Sequence, residues 1–299
     1  VTAMNDAGIG DFDPAFEALE PAQLIAPVVF NSPHSGCVYP ERFLAQVRLD
    51  LQTLRRSEDT DVDALFEGVV ARGMPLLRAH FPRSMVDVNR EPYELDPRMF
   101  DGRLPTFANT RSMRVAGGLG TVPRVVGEAQ EIYARRMPID EALSRIDGLY
   151  KPYHRALRKL IAGAHRAFGE VLLVDCHSMP SSAPLREDRP RADIVIGDRY
   201  GTSCSPVVSD VVETVLRGRG YHVLRNKPYA GGFITEHYGQ PQTGIHAIQI
   251  EINRAIYMDE RTYARQPGFA ALSADLMVLA ETLMRLPLDR PGDWRVAAE

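Results

Sequence analysis

Four short aliphatic runs in this 299-residue chain break off abruptly into polar clusters. The clusters are Asn31-Ser32-Pro33-His34-Ser35-Gly36, Asp87-Val88-Asn89-Arg90, Asp175-Cys176-His177-Ser178 and Glu251-Ile252-Asn253-Arg254. Short apolar runs alternating with long amphipathic segments are the pattern of strands connected by helices, so an α/β fold with a mostly parallel sheet is expected. Ligands of such sheets bind beyond the carboxyl ends of the strands. The four clusters are therefore expected to meet in one crevice.

Core strands are predicted at 25–31, 84–89, 171–176, 193–197 and 246–253, with Pro27 an unfavourable residue inside the first. A helix is predicted over 57–72, because Val62, Leu65, Phe66, Val69 and Val70 form one apolar stripe and Gly73 stands where it would stop. Two more are expected between about 126 and 168, closed by Gly169, and others at 205–218 and 268–286. Segments 90–125 and 178–192, rich in Pro, Arg, Gly and Ser, read as long loops of the kind that carry function. No linker, repeat or low-complexity tract divides the chain, so residues 1–299 read as a single domain.

A net charge of −4 with mixed signs offers no extended basic field, which argues against nucleic acid or an anionic membrane as a partner. Cys37, Cys176 and Cys204 are odd in number and irregularly spaced, which suits a reducing compartment better than a disulfide framework. The first residues, Val-Thr-Ala-Met-Asn-Asp, show no basic segment leading into an apolar run, and no apolar stretch approaches membrane length. A cytoplasmic location is expected. Oligomeric state has no signature in the sequence.

His34 and His177 each follow an apolar run, at the sheet edge where an imidazole can face a metal ion. Catalytic zinc takes three protein ligands and keeps one position open for water. Either histidine alone would ordinarily be a structural hydrogen-bonding group; two in equivalent settings point to a shared ion. For an acidic third ligand, Glu58 and Asp59 flank the apolar stripe of the 57–72 helix on opposite sides, and periodicity does not choose between them. Acids in a first helical turn also simply complement the helix dipole. His246 is a reserve ligand and His237 a weaker one. Glu251 alternates with Gln249 and Asn253 on one strand face, where it serves either as a general base or as an ion-pair partner of Arg254.

Asn89 and Arg90 suit capture of a substrate carboxylate, although the same guanidinium can satisfy Asp87 or a loop carbonyl. Arg111 and Arg114 in the following loop are candidates for a second carboxylate, and Arg254 is a further candidate substrate contact. Cys176 and His177 point to opposite faces of a strand and do not form a thiol–imidazole pair. The glycines at 117–120 and 231–232 lack the strand, loop and helix order of a phosphate-binding fingerprint.

Taken in order, Ser32-Pro33-His34-Ser35-Gly36, Arg56-Ser57-Glu58-Asp59, Val86-Asp87-Val88-Asn89-Arg90-Glu91-Pro92, Asp175-Cys176-His177-Ser178 and Gln249-Ile250-Glu251-Ile252-Asn253-Arg254 resemble the N-formylglutamate amidohydrolase family, relatives of the zinc carboxypeptidases and aspartoacylases. The likeness runs over roughly residues 25 to 260. It implies a three-layer α/β/α sandwich around a central mixed, mostly parallel sheet, with one Zn2+ per chain. His34 and His177 correspond to the metal histidines, Glu251 to the general base, and Asn89-Arg90 to the carboxylate clamp. Carboxypeptidases carry a glutamate three residues after the first histidine, and here that position is Cys37. The family's aspartate before the next helix resembles Asp59, with Glu58 second. The implied reaction is hydrolysis of an N-acyl acidic amino acid, foremost N-formyl-L-glutamate to formate and L-glutamate. The alternatives are a deacylase or peptidase acting on another N-acyl amino acid or small peptide, and a metal-free small-molecule binding protein on the same fold.

Overall fold

Seven strands form one sheet: β1 (Phe16–Leu19), β2 (Val28–Ser32), β3 (Leu76–Ala79), β4 (Val171–Met179), β5 (Ile194–Gly197), β6 (Val223–Arg225) and β7 (Ile245–Asn253). Their order across the sheet is β1-β3-β2-β4-β7-β5-β6. β2 and β7 run parallel to β4, β5 is antiparallel to β7, and β6 is parallel to β5, so the sheet is mixed, as expected. The computed structural model describes residues 9–127, 129–182 and 191–288. Segment 1–8, read above for a leader, and positions 183–190 of the expected 178–192 loop lie outside the described residues.

Backbone contacts divide the chain into two compact units. One takes in Pro33–Thr60 and Arg78–Leu157; the other takes in Ala18–Ser32, Asp61–Leu77 and the residues from Arg158 onward. In the second unit β4 and β7 are each nine residues long, and every residue of β4 is buried. Burial on both faces explains why β4 begins as a continuous aliphatic run rather than an alternating one. One face of this sheet carries Val28, Phe30, Leu172, Val174, Cys176, Ile248, Ile250 and Ile252. They pack into one cluster with the buried stripes of α1 (Val62–Phe66), α4 (Pro206–Gly218) and α6 (Gly268–Leu283). The short helix α5 (Phe233–Tyr238) contacts β7 and β4, and Gly232, just before it, hydrogen-bonds Gln249 on the other face. The three layers follow.

In the first unit, α2 (Ile139–Arg145) passes through a π-helical turn at Ile146–Tyr150 into α3 (Lys151–Phe168), whose last residues continue in the second unit. The two separate helices expected there are thus one run. Phe12, Phe81, Phe43, Tyr133 and Tyr153 make aromatic contacts within this unit, among others.

Two expectations are corrected. Residues 84–89 are not a strand: Met85 and Val86 N–H groups bond the Pro82 carbonyl, Asp87 N–H bonds Thr121, and the segment is a series of turns. The strand lies earlier, at Leu76–Ala79 after Pro75. The 57–72 helix begins only at Val62 and becomes 3-10 over Glu67–Arg72, and Glu58 is extended. The Glu58 carboxylate is drawn to Tyr39, Arg55 and Thr60, and Asp59 N–H to the His34 carbonyl, which withholds both residues from a helical turn. Within the expected 90–125 loop there are a 3-10 turn at Pro97–Met99 and a helical turn at Met113–Ala116. No helix among the described residues is long and apolar enough to cross a membrane.

Because Ile250 is fully buried in the β7 core row, Ile250→Ala is expected to lower unfolding free energy by about 2–5 kcal/mol. Urea denaturation measures it, and a loss below about 1 kcal/mol would remove this row from the stabilising core.

Candidate metal centre

His34 follows the end of β2 in a turn that only glycine chemistry permits two residues later. A Cβ on Gly36 would stand 2.0 Å from the Phe81 carbonyl oxygen, so any side chain would push the turn off the 80–81 backbone. The imidazole is 1 % exposed. Its Nε2 lies 2.8 Å from Asp87 Oδ1, and its Nδ1 lies 3.4 Å from Asp59 Oδ2.

Asp87 is itself held on every side within the first unit. Arg83 Nε donates to Oδ2 at 2.9 Å, the Asn89 backbone N–H donates to Oδ1 at 2.8 Å, and Arg90 Nη2 stands 3.4 Å from Oδ2. Burial works to raise this carboxyl, but Arg83, Arg90 and His34 outweigh it and hold it well below the usual carboxylate range. An ionised Asp87 selects the His34 tautomer that donates from Nε2, leaving on Nδ1 the lone pair a cation needs. The π turn and the helix after it prop the same loop: Tyr150 Oη donates to the Arg90 carbonyl at 2.7 Å, and His154 Nε2 lies 2.9 Å from the Val88 carbonyl.

In the second unit the same device recurs on β4. His177 Nε2 lies 2.8 Å from Asp175 Oδ2, and Asn31 Nδ2 donates to Asp175 Oδ1 at 2.7 Å. Residues two apart on a strand share a face, so Asp175 braces His177 from directly behind. Glu251 of β7 is the register partner of His177. Gln249 Nε2 donates to Glu251 Oε1 at 2.8 Å, and the Gln249 oxygen accepts from Gly232 N–H at 2.7 Å, which fixes the carboxylate's orientation.

His34, Asp59 and His177 form a buried group in which one ligand atom from each residue lies within 4.8 Å of the others. Zinc–nitrogen and zinc–oxygen bonds are about 2.0–2.2 Å, so donors around one ion sit within roughly 4.4 Å of one another. The donor atoms of this group, all within 4.8 Å of one another, are spaced close to that range. Two imidazoles and a carboxylate are also the donor set of catalytic zinc sites that keep a position open. The residues fit a divalent metal ion.

Residues 26–258 match the N-formylglutamate amidohydrolase family. The chain belongs to that family. It is 30% identical over 266 residues to N-formylglutamate deformylase of Pseudomonas aeruginosa, covering 86% of this chain and 92% of that one. It is 30% identical over 240 residues to N-formylglutamate deformylase of Pseudomonas putida, covering 78% and 82%. The crystal structure of N-formylglutamate amidohydrolase from Ralstonia eutropha JMP134 superposes with a TM-score of 0.85 at 40% identity, covering 91% of this chain and 99% of that one.

Other residues singled out in this amidohydrolase-family sequence have different surroundings. Glu58 accepts from Tyr39 Oη at 2.6 Å, from Arg55 Nε at 3.1 Å and from Thr60 Oγ1 at 2.9 Å, so its carboxylate is committed to fixing the loop that presents Asp59. Burial, then Glu58, pushes the Tyr39 hydroxyl up, keeping it a donor. His246 Nδ1 accepts from the Ser205 backbone N–H at 3.0 Å, and His237 lies on α5 with its ring stacked on Phe233. Neither belongs to the His34–Asp59–His177 group. Arg254 Nε donates to Ser178 Oγ at 3.0 Å, and Ser178, one residue from His177, points to the opposite strand face. Arg90 donates to the carbonyls of Leu119 at 2.8 Å and Asn89 at 2.7 Å; burial lowers its guanidinium to about 10, with Asp87 opposing. It is charged at neutral pH. Asn89 is buried beside it, Arg114 Nη1 lies 3.8 Å from Glu94 Oε2, and Arg111 is exposed.

The pairing of Asp87 and Asp175 with the two histidines, and of Gln249 with Glu251, adds three residues to the candidate site. The spacing Asp-x-His and Gln-x-Glu on strands carries the signal for Asp175 and Gln249, since alternation puts each pair on one face. Asp87 has no such local mark, because its partner His34 is 53 residues away. Asp87→Asn, which removes the charge but keeps the shape, is expected to weaken metal binding about 10–100-fold. Competition against a chromophoric chelator measures this, and wild-type affinity would reduce the Asp87–His34 contact to a packing detail.

Proposed function

We propose that this chain is a zinc-dependent amidohydrolase that converts N-formyl-L-glutamate and water to formate and L-glutamate. The observation that carries the reading is the His34–Asp59–His177 group together with Glu251 as the register partner of His177. The substrate follows the names of the Pseudomonas relatives and the Ralstonia structure. His34, Asp59 and His177 hold the ion, which when bound supplies Lewis acidity to the acyl carbonyl and to the attacking water.

Glu251 acts as the general base: it accepts a proton from the attacking water and returns it to the departing amine nitrogen. The Gln249 amide keeps Oε1 of that carboxylate in one orientation, so the proton-accepting geometry is set before substrate arrives. Arg90 and Asn89 bind a substrate carboxylate. A guanidinium carries five N–H donors, and contacts with Leu119, Asn89 and Asp87 leave others for a ligand. Arg114, which acts electrostatically on Arg90, is suited to the second carboxylate of glutamate, with Arg111 just before its helical turn. Arg254, on the opposite face beside Ser178, acts through the end of β4 instead.

Purified protein is expected to carry about one zinc per chain, to lose N-formylglutamate hydrolysis on chelation and to regain it with Zn2+. Faster cleavage of acetyl- or peptidyl-glutamate than of formylglutamate would move the assignment to another deacylase or a peptidase, and full activity without metal would refute the zinc mechanism. Glu251→Gln is expected to lower kcat by about 10²–10⁴ with zinc content unchanged, and a wild-type kcat would eliminate it as the base. For Arg90→Ala the expected outcome is a KM for N-formylglutamate raised about 10–100-fold, equivalent to losing a charge-assisted hydrogen bond. An unchanged KM would take Arg90 out of the substrate site.

A further inference from the structure

We propose that a cavity within the first unit, apart from the candidate metal group, binds a compact polyanion of the diphosphate class. The cavity has a volume of about 190 Å³ and is lined by five arginines, Arg48, Arg98, Arg124, Arg135 and Arg136. Among the described residues, two carboxylates partly neutralise them. Asp96 Oδ2 lies 2.8 Å from Arg124 Nε and 2.7 Å from Arg98 Nη2, and Glu131 pairs with Arg124 Nη1 at 2.9 Å and Arg48 Nη1 at 3.6 Å. Among the described residues, five guanidiniums against two carboxylates leave a local excess of three positive charges, in a chain whose net charge is −4. Arg135 and Arg136 are exposed and have no carboxylate partner among the described residues.

Arg98 and Arg124 are pre-oriented by their ion pairs, so little side-chain entropy remains to be lost when an anion is captured, and Arg135 and Arg136 are available to close on it. Guanidinium forks match the oxygens of a phosphoryl group in bidentate fashion. The size of the cavity sets an upper limit: it is smaller than the roughly 300–1,000 Å³ of pockets that enclose drug-sized molecules. Its single aromatic residue, Tyr133, is buried and receives Arg145 Nη1 on its hydroxyl at 2.7 Å, so no ring is presented for stacking a base. The recognised chemistry is the diphosphate itself.

Titration calorimetry of sodium pyrophosphate into the metal-loaded full chain, at constant ionic strength, tests the site. The R135A/R136A double variant is compared with Arg166→Ala, an exposed arginine on α3 outside the cavity. Pyrophosphate also draws on the metal, but equally in all three proteins, so the difference between them reads the cavity. Expected are binding at least about tenfold weaker in the double variant, wild-type affinity in Arg166→Ala, and an unchanged KM for N-formylglutamate in both. Equal pyrophosphate affinity in all three proteins overturns the proposal, as does an equal loss in Arg166→Ala. A raised KM in the double variant would also overturn it, by making the cavity part of the substrate site. ADP binding as tightly as pyrophosphate would identify a nucleotide's diphosphate tail as the source, and failure of ADP would identify the free diphosphate; both support the site.

Discussion

A buried aspartate behind each of two histidines is the constraint on which the rest of this protein turns. An imidazole can bind a cation only through a nitrogen that lacks a proton, and Asp87 and Asp175 settle which nitrogen that is by accepting at Nε2. Two burials of this kind are expensive unless the carboxylates are themselves satisfied. Arg83, Arg90 and the Asn89 N–H do so for Asp87, and Asn31 does so for Asp175. The polar residues around the candidate centre are therefore a nested set, in which each layer makes the one inside it tolerable.

The apolar architecture serves the same end by different means. The β4 and β7 ladder keeps His177 and Glu251 in register, and its opposite face is an aliphatic row packed on α1, α4 and α6. A one-residue slip of β4 would turn its aliphatic row toward the polar face and the His177 imidazole into the core. Hydrophobic burial thus specifies where His177 and Glu251 stand on the opposite face.

Much of this was legible in the amino-acid order. The runs ending in His34, His177 and Glu251 are strand ends or follow them directly, and the family relationship anticipated from their motifs is present. Asp59 was distinguishable from Glu58 only by family likeness, because what separates them is long-range: Tyr39 and Arg55 engage one, and the His34 carbonyl engages the other's backbone. Residues 84–89 misled for the same reason. Their alternating apolar pattern suits a strand, yet their N–H groups find Pro82 and Thr121 instead of a ladder partner. Periodicity reports which side of a segment is buried, not which distant carbonyl claims its amide.

The π-helical turn at Ile146–Tyr150 accommodates one extra residue without breaking the rod that runs from α2 into α3. One residue corresponds to about 100° of rotation, so the buried sides before and after the turn are phased differently. Arg145, before it, reaches Tyr133 and Gln46, while Tyr150 and His154, at its end and beyond, reach the carbonyls of Arg90 and Val88. A regular helix would align one of these sets and swing the other aside. The irregular turn is a phase shifter, and through it the loop that backs the His34 imidazole is clamped by the same rod that hydrogen-bonds Tyr133.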